Sequence, residues 1–191
     1  MINNIIQVTK RQQFRDWLKY NHIKEKECWV KVKVGNPVDD NHLWYLDAVE
    51  EAICFGWIDS TKKKIDGILI QRFSPRKKNS HWSEINKERY HRLEKLNLIT
   101  TAGKESFSYA KPFHIDPEIN EIINSDVDLC KKFHSFPPLY QRIKIDSIQR
   151  EKKHPEIFSR MIKNFINMTK QQKMYGQWND YGRLYKVEKT F

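Results

Sequence analysis

Residues 45–73 read YLDAVEEAICFGWIDSTKKKIDGILIQRF and contain the signals of a helix, a strand, a turn and a second strand in succession. Apolar residues recur at helical spacing over residues 45–55, which predicts an amphipathic helix. Gly56 follows at the position where helices commonly end in a left-handed residue. Asp66 and Gly67 separate two strand-like segments, and a type I′ turn favours these residues at its two central positions. The stretch therefore predicts a β-hairpin directly after a helix.

The rest of the chain changes character near its middle. Residues 12–20 place aromatic and apolar side chains at helical spacing, whereas residues 27–34 alternate in polarity with the period of a strand. Beyond Pro112 the apolar patterns are all helical. We therefore predict an α+β fold, with a small antiparallel sheet packed by helices over residues 1–112 and an all-helical region over residues 113–191.

The chain is basic, because 35 Lys and Arg outnumber 24 Asp and Glu and give a formal net charge of +11. Between Thr61 and Lys95, eleven basic residues stand against four acidic ones, and this basic strip carries most of the excess. Such a balance favours an anionic small molecule, an acidic protein or a nucleic acid as partner. The strip contains no named nucleic-acid-binding motif.

The cysteines and the N-terminus predict a cytoplasmic protein. Cys28, Cys54 and Cys130 are odd in number and far apart, which excludes a disulfide framework and fits a reducing compartment. Residues 1–9 lack the features of a signal peptide, and no apolar run reaches the roughly 20 residues that a membrane helix needs. No two histidines have the spacing of metal ligands and no nucleotide-binding loop occurs, so we predict neither a metal nor a cofactor.

Three blocks of the sequence are similar to a known bacterial family. They are DAVEEAICFGWIDS at 47–60, QRFSPRK at 71–77, and SHWS at 80–83 with Asn86 and Arg89 after it. This pattern resembles the YdeI/OmpD-associated family, also labelled bacteriocin-protection proteins, and the likeness covers most of residues 10–170. The helical tail resembles the C-terminal module of that family. The resemblance implies a role in tolerance to antimicrobial peptides or a related stress, and it implies no defined chemistry.

These blocks also suggest a ligand site. Its predicted members are Trp57, Asp59, Arg72, Arg76, Trp82, Asn86 and Arg89. The two indoles would form flat apolar walls, and the two arginines Arg72 and Arg76 would donate charged hydrogen bonds to a carboxylate or phosphate. Asn86 would orient the ligand. We expect this Arg/Trp surface to be open to solvent and to bind an anionic ligand or partner without catalysing a reaction.

Other interpretations of the same region stay open. The basic strip over residues 61–95 would suit a nucleic-acid-binding module. Asp59 or Glu51 would serve as the acid or base of an enzyme. Alternatively, an ion pair of Asp59 with Arg72, or of Glu51 with an arginine, would only pin the hairpin to the helices. Cys54 is predicted to be a buried small hydrophobic residue, because a position near a helix C-terminus disfavours a thiolate.

Overall fold

The computed structural model describes residues 5–185 of the 191-residue chain. Over that range, it contains eight α-helices, two short 3₁₀ helices and one three-stranded antiparallel sheet with the strand order β1-β3-β2. The helices are α1 (Arg11–Asn21), α2 (Tyr45–Cys54), α3 (Glu84–Lys95), α4 (Thr101–Phe107), α5 (Pro117–Asn124), α6 (Val127–Ser135), α7 (Pro138–Gln149) and α8 (Pro155–Lys170). The strands are β1 (Cys28–Lys31), β2 (Trp57–Ile65) and β3 (Ile68–Pro75), and the 3₁₀ helices are Arg150–Lys153 and Arg183–Tyr185. The predicted α+β class, small antiparallel sheet and helical C-terminal region are confirmed.

The chain divides into two compact units. Unit 1 contains Met1–His81, Asn86–Ala110 and Leu184–Phe191, and unit 2 contains Trp82–Ile85 and Lys111–Arg183. The first residues of α3 therefore belong to unit 2 and the remainder of α3 to unit 1. The predictions made for residues 1–9 and 113–191 include residues 1–4 and 186–191, which lie outside the described residues.

The hairpin of β2 and β3 turns where the sequence predicted it. Asp66 (φ +47°) and Gly67 (φ +79°) both adopt the left-handed conformation that a type I′ turn requires. The chain leaves α2 through Gly56, which has φ +72°, and a Cβ at this position would lie 2.7 Å from the carbonyl oxygen of Ala102. Because only glycine meets both demands, Gly56 fixes how the chain passes from α2 into β2.

The first strand is shorter than the predicted segment 27–34. β1 spans only Cys28–Lys31. The backbone N–H of Lys33 donates to the carbonyl of Leu43 at 2.9 Å, and Lys33 forms an isolated parallel bridge with Trp44. The alternation of polarity continues past β1. The backbone N–H of Val32 still donates to Leu69 of β3 at 3.1 Å, but Lys33 bonds to the segment before α2, which lies outside the sheet.

One face of the sheet, the inner face, carries the core of unit 1. Residues paired across antiparallel strands point to the same side, so Cys28, Val30, Trp57 and Phe73 share this face, and all four are buried. The ring of Phe73 lies 5.3 Å from the ring of Phe14 on α1. Around these four residues the inner face is therefore covered by helix and closed to solvent.

The helices of unit 2 surround one apolar cluster. Its buried members are Ile119, Ile123, Phe133, Phe136, Tyr140, Ile145, Ile148, Ile162 and Phe165. Two of the helices begin at capping aspartates. The carboxylate of Asp116 accepts from the backbone N–H of Glu118 at 3.0 Å, and that of Asp126 accepts from Leu129 at 3.0 Å. Prolines occupy the first positions of α5, α7 and α8, where their fixed φ favours the start of a helix.

Candidate functional site

The two tryptophans that were predicted to wall a ligand site are interior side chains. Trp57 is 1% exposed, its indole N–H donates to the carbonyl of His22 at 3.1 Å, and its ring lies edge-on to Trp17. Trp82 is 3% exposed and belongs to unit 2, whereas Trp57 belongs to unit 1. Both indoles therefore lack the open face that a stacking wall needs.

Arg72 is bound by a carboxylate that sequence reasoning did not identify. Its Nε and Nη2 donate to Glu27 Oε2 at 2.8 and 2.6 Å, and its Nη1 donates to Ser60 Oγ at 3.1 Å. Glu27 also accepts from the indole of Trp29 at 3.2 Å, and the bonds from Arg72 and Trp29 hold the pKa of Glu27 below its ordinary value. The suggested Asp59–Arg72 pair is wrong, because the strand register places these two side chains on opposite faces of the sheet.

Asp59 and Arg76 are the predicted site residues that share one electrostatic environment. Asp59 Oδ2 accepts from the hydroxyl of Tyr45 at 2.6 Å, and Arg76 Nη1 donates to the carbonyl of His81 at 2.9 Å. Burial lowers the pKa of Arg76 to about 10, and the negative charge of Asp59 opposes this lowering. Each of the two side chains also has a contact that stabilises the local fold.

Asn86 and Arg89 lie one turn apart on α3 and bind each other. Arg89 Nη1 donates to Asn86 Oδ1 at 2.7 Å, and the two residues are 9% and 8% exposed. Contacts between residues three apart are common along helices. Here the contact is buried, so the pair contributes to the interior of the fold instead of an open recognition surface.

Glu51 belongs to a buried group of charges, the α2 ion cluster. Its members are Asp47, Glu50 and Glu51 of α2, Arg11 and Arg15 of α1, and Arg92 of α3. Glu51 accepts from Arg11 and from Arg15, each at 2.6 Å, while Glu50 contacts Arg11 and Arg92, each at 3.0 Å. These contacts set three carboxylates against three guanidinium groups, and such pairing offsets the cost of burying the charges.

The same contacts bear on the suggested ion pair of Glu51 with an arginine. Burial acts to lower the pKa of Arg11, but the charges of Glu50, Glu51 and Asp47 outweigh it and raise that pKa above its ordinary value. One oxygen of Glu51 accepts from Arg11 and the other accepts from Arg15, so this carboxylate holds α1 against α2. The suggested Glu51–arginine pair therefore exists, although it joins α1 to α2 and not the hairpin to the helices.

The outer half of the hairpin stands clear of the rest of unit 1. Residues 60–68 are all exposed, and we call them the hairpin arm. The arm carries lysines at positions 62–64, and Ile65 and Ile68 lie beside its turn with 37% and 39% of their surface exposed. This part of the basic strip is accessible to a partner.

A β-bulge sets the direction of the lysines in the arm. Asp59 lies opposite Phe73 and Lys62 lies opposite Gln71, so β2 uses one residue more than β3 over this interval. The buried amide of Gln71 donates to the carbonyls of residues 60 and 61, both at 3.3 Å. The bulge is thus stabilised from within the sheet, and every side chain after it moves to the opposite face.

The bulge places Lys63 on the outer face, which is the side of the sheet opposite the core. Lys31 and Lys63 both lie opposite Ile70, one on each side of it, so the three strands form a single row. The Nζ of Lys63 lies 5.5 Å above the ring of Trp29, and Arg72 follows in the next row. Sequence reasoning did not single out Lys31, although the alternation in β1 placed it on this face.

The burial of Cys54 argues against a reactive thiol at this position. Burial raises the pKa of Cys54 to about 12, with the charge of Glu51 adding to the effect, and its predicted burial is confirmed. In the part of the chain that the structure describes, no group of His, Cys, Asp and Glu side chains has the arrangement of a metal site. Among the same residues, no helix has the length and hydropathy needed to cross a membrane.

The N-terminal half of the sequence matches one protein-family model. Residues 6–106 match the family model of a domain of unknown function (DUF8412), which is more than half of the chain. The chain belongs to the DUF8412 family. The DUF8412 match runs from before α1 into α4, so it includes the sheet, the α2 ion cluster and the hairpin arm. No curated protein and no solved structure matches this chain.

Proposed function

We propose that unit 1 binds nucleic acid through the hairpin arm and the outer face of the sheet. The observation that carries the proposal is the exposed set of lysines around the bulge, with Lys62, Lys63 and Lys64 on the arm and Lys31 on β1, across β3 from Lys63. Lysines of this kind neutralise phosphates and release counterions from the nucleic acid. The net charge of +11 adds attraction of the same sign over longer distances.

The contacts of the predicted Arg/Trp surface favour an extended polyanion over a small anion in a pocket. Both indoles are buried, and the guanidinium fork of Arg72 already binds Glu27. By contrast, no carboxylate within residues 5–185 forms an ion pair with Lys31, Lys62 or Lys64. These amines therefore remain available to phosphates.

An enzyme that uses Asp59 or Glu51 as its base draws less support. Glu51 is held by two guanidinium groups, and Asp59 accepts a hydrogen bond from Tyr45 at 2.6 Å. Both carboxylates are thus engaged within the fold. An Asp59→Asn variant that folds normally and loses a measurable turnover would favour the enzyme instead.

The resemblance to the YdeI/OmpD-associated proteins supplies a cellular setting. We propose that the protein acts in the cytoplasm, in tolerance to antimicrobial peptides or a related stress. Cys28, Cys54 and Cys130 are all free, and the first two are buried, which fits a reducing compartment. A host that makes only a variant with a neutral hairpin arm should then lose tolerance together with nucleic-acid binding.

Binding to a labelled DNA duplex, measured by fluorescence anisotropy over a series of salt concentrations, tests the proposal. The compared variant carries Lys62→Gln, Lys63→Gln and Lys64→Gln. If these three lysines each neutralise a phosphate, the slope of log K against log salt should fall by about 2 to 3, because each contact contributes about 0.9. The affinity at low salt should fall at least roughly tenfold.

A variant with the same change of charge in unit 2 provides the control. Lys131→Gln, Lys153→Gln and Lys163→Gln remove three exposed lysines and leave the hairpin arm intact. This control should retain nearly the wild-type affinity and slope. Equal losses in the two variants would mean that only net charge matters, and salt-insensitive binding of a small anion would favour the pocket interpretation.

A further inference from the structure

Unit 2 contains a buried amine, that of Lys144. Lys144 on α7 is 8% exposed, and no carboxylate in the part of the chain that the structure describes forms an ion pair with it. Its Nζ lies 3.6 Å from the centre of the Tyr175 ring and 5.6 Å from that of Tyr140. Lysines are almost never buried to this extent without a partner of opposite charge.

The cover over this amine is thin. It is formed by the chain that follows α8, in which Tyr175 is half-buried and Gly176 is exposed. Gly176 has φ +77°, and a Cβ there would lie 3.2 Å from the Nζ of Lys144. The amine therefore lies one residue below the surface, at a place where only glycine fits without strain.

The groups that face the amine are phenols, from its own helix and from the covering segment. Burial lowers the pKa of Lys144 to about 8, and it raises the pKa of Tyr140 to about 12 and also raises that of Tyr175. Both phenols are therefore uncharged at neutral pH. About a tenth of Lys144 is then unprotonated at pH 7, against about one part in 3,000 for a lysine with an ordinary pKa.

We propose that Lys144 is a nucleophilic amine that forms a Schiff base with a small, uncharged aldehyde or ketone. The nitrogen lone pair attacks the carbonyl carbon and a C–N bond forms. The carbonyl oxygen takes up two protons, equal in number to those that the nitrogen loses, and leaves as water. An uncharged ligand suits this site, because the amine is buried and moving a charged ligand out of water to reach it would cost free energy.

The surrounding side chains fit this step. Protonation of the imine restores a cation where the ammonium lay, above the face of the Tyr175 ring, which attracts it. Tyr140 lies one turn before Lys144 on α7. Its buried hydroxyl donates to no described residue, although the backbone of Tyr175 interacts with it and acts to lower its pKa. That hydroxyl is available to donate to the oxygen of a bound carbonyl.

Limited reductive methylation of the full chain tests the proposal. The chain is treated at pH 7 with a small amount of formaldehyde and cyanoborohydride, and the modified lysines are mapped by peptide mass spectrometry. Lys144 should react at least roughly tenfold faster than the exposed Lys131 and Lys153, since its unprotonated fraction exceeds theirs by about 300-fold. Slower reaction of Lys144 than of Lys131 would overturn the proposal.

Two controls separate the folded site from the local sequence. Lys144→Arg should abolish the fast reaction, whereas Lys131→Arg should leave it unchanged. In concentrated urea the rates of all lysines should converge, because the burial that favours the neutral amine is lost. Preferential reaction of Lys144 that persists in urea would assign the effect to its neighbours in sequence and would contradict the proposed site.

Discussion

Unit 1 and unit 2 both bury charged side chains, but they stabilise them in opposite ways. The α2 ion cluster places three carboxylates against three guanidinium groups at 2.6 to 3.0 Å. Lys144 instead lies on aromatic rings with no acid paired to it among the described residues. The balanced cluster has the character of a scaffold, whereas an uncompensated group retains reactivity that pairing would remove.

Removal of one carboxylate from the α2 ion cluster should cause the largest loss of stability. Glu50 is fully buried and contacts Arg11 and Arg92, so Glu50→Ala leaves excess positive charge in the interior. We expect the free energy of unfolding to fall by about 3 to 5 kcal/mol, measured by urea denaturation. Exposed Asp128, which pairs with Lys132 in unit 2, is the control, and Asp128→Ala should cost under about 0.5 kcal/mol. Similar losses in the two variants would mean that burial does not set the cost.

Replacement of the unpaired amine should have the opposite sign. Lys144→Met keeps a long, flexible side chain but removes the buried charge, and we expect the free energy of unfolding at pH 7 to rise by roughly 1 to 2 kcal/mol. The gain is limited because the variant also loses the contact of the cation with the Tyr175 ring. If Lys144→Met instead destabilised unit 2, the ammonium would be well compensated and the contrast between the units would fail.

The pH dependence of the free energy of unfolding should also report the buried charge of Lys144. The pKa of Lys144 is about 8 in the folded chain and 10.5 as an ordinary lysine, so the unfolded chain binds more protons between these values. Stability from this group is therefore lowest below pH 8 and rises as the pH increases toward 10.5. The advantage of Lys144→Met over the wild type should shrink through that window by up to about 1.4 kcal/mol per pH unit and should disappear before pH 10.5. A difference that stays constant from pH 7.5 to pH 9.5 would contradict the lowered pKa.

The parts of the fold that depend on near neighbours were the ones that the sequence could predict. Asp66 and Gly67 specify their own turn, and Gly56 specifies the exit from α2, because backbone sterics act within a few residues. The bulge in β2 could not be predicted from the sequence. It depends on the amide of Gln71, which reaches the carbonyls of residues 60 and 61 only after the hairpin has formed.

The site was less predictable because it depends on contacts between distant residues. Trp57 has a flat apolar ring of the kind that lines ligand sites. It is buried in the core because α1 packs against its strand, which the sequence pattern does not reveal. The acids of α2 were visible, but their arginines Arg11 and Arg15 lie about 40 residues earlier. No sequence pattern distinguishes Lys144 from the other lysines, because the residues that cover it, Tyr175 and Gly176, lie about 30 positions later in the chain.

Removal of the Arg72–Glu27 pair should have the smallest effect on stability. It tests whether burial determines how much an ion pair contributes. The pair uses the same guanidinium–carboxylate chemistry as the α2 ion cluster, with two hydrogen bonds at 2.6 and 2.8 Å, but the side chains are 30% and 36% exposed. Water and salt screen such a pair, so Arg72→Ala should shift the urea midpoint less than either Glu50→Ala or Lys144→Met. The shift should shrink further in high salt. A salt-independent loss as large as that of Glu50→Ala would show that pairing geometry, and not burial, determines what these charges contribute.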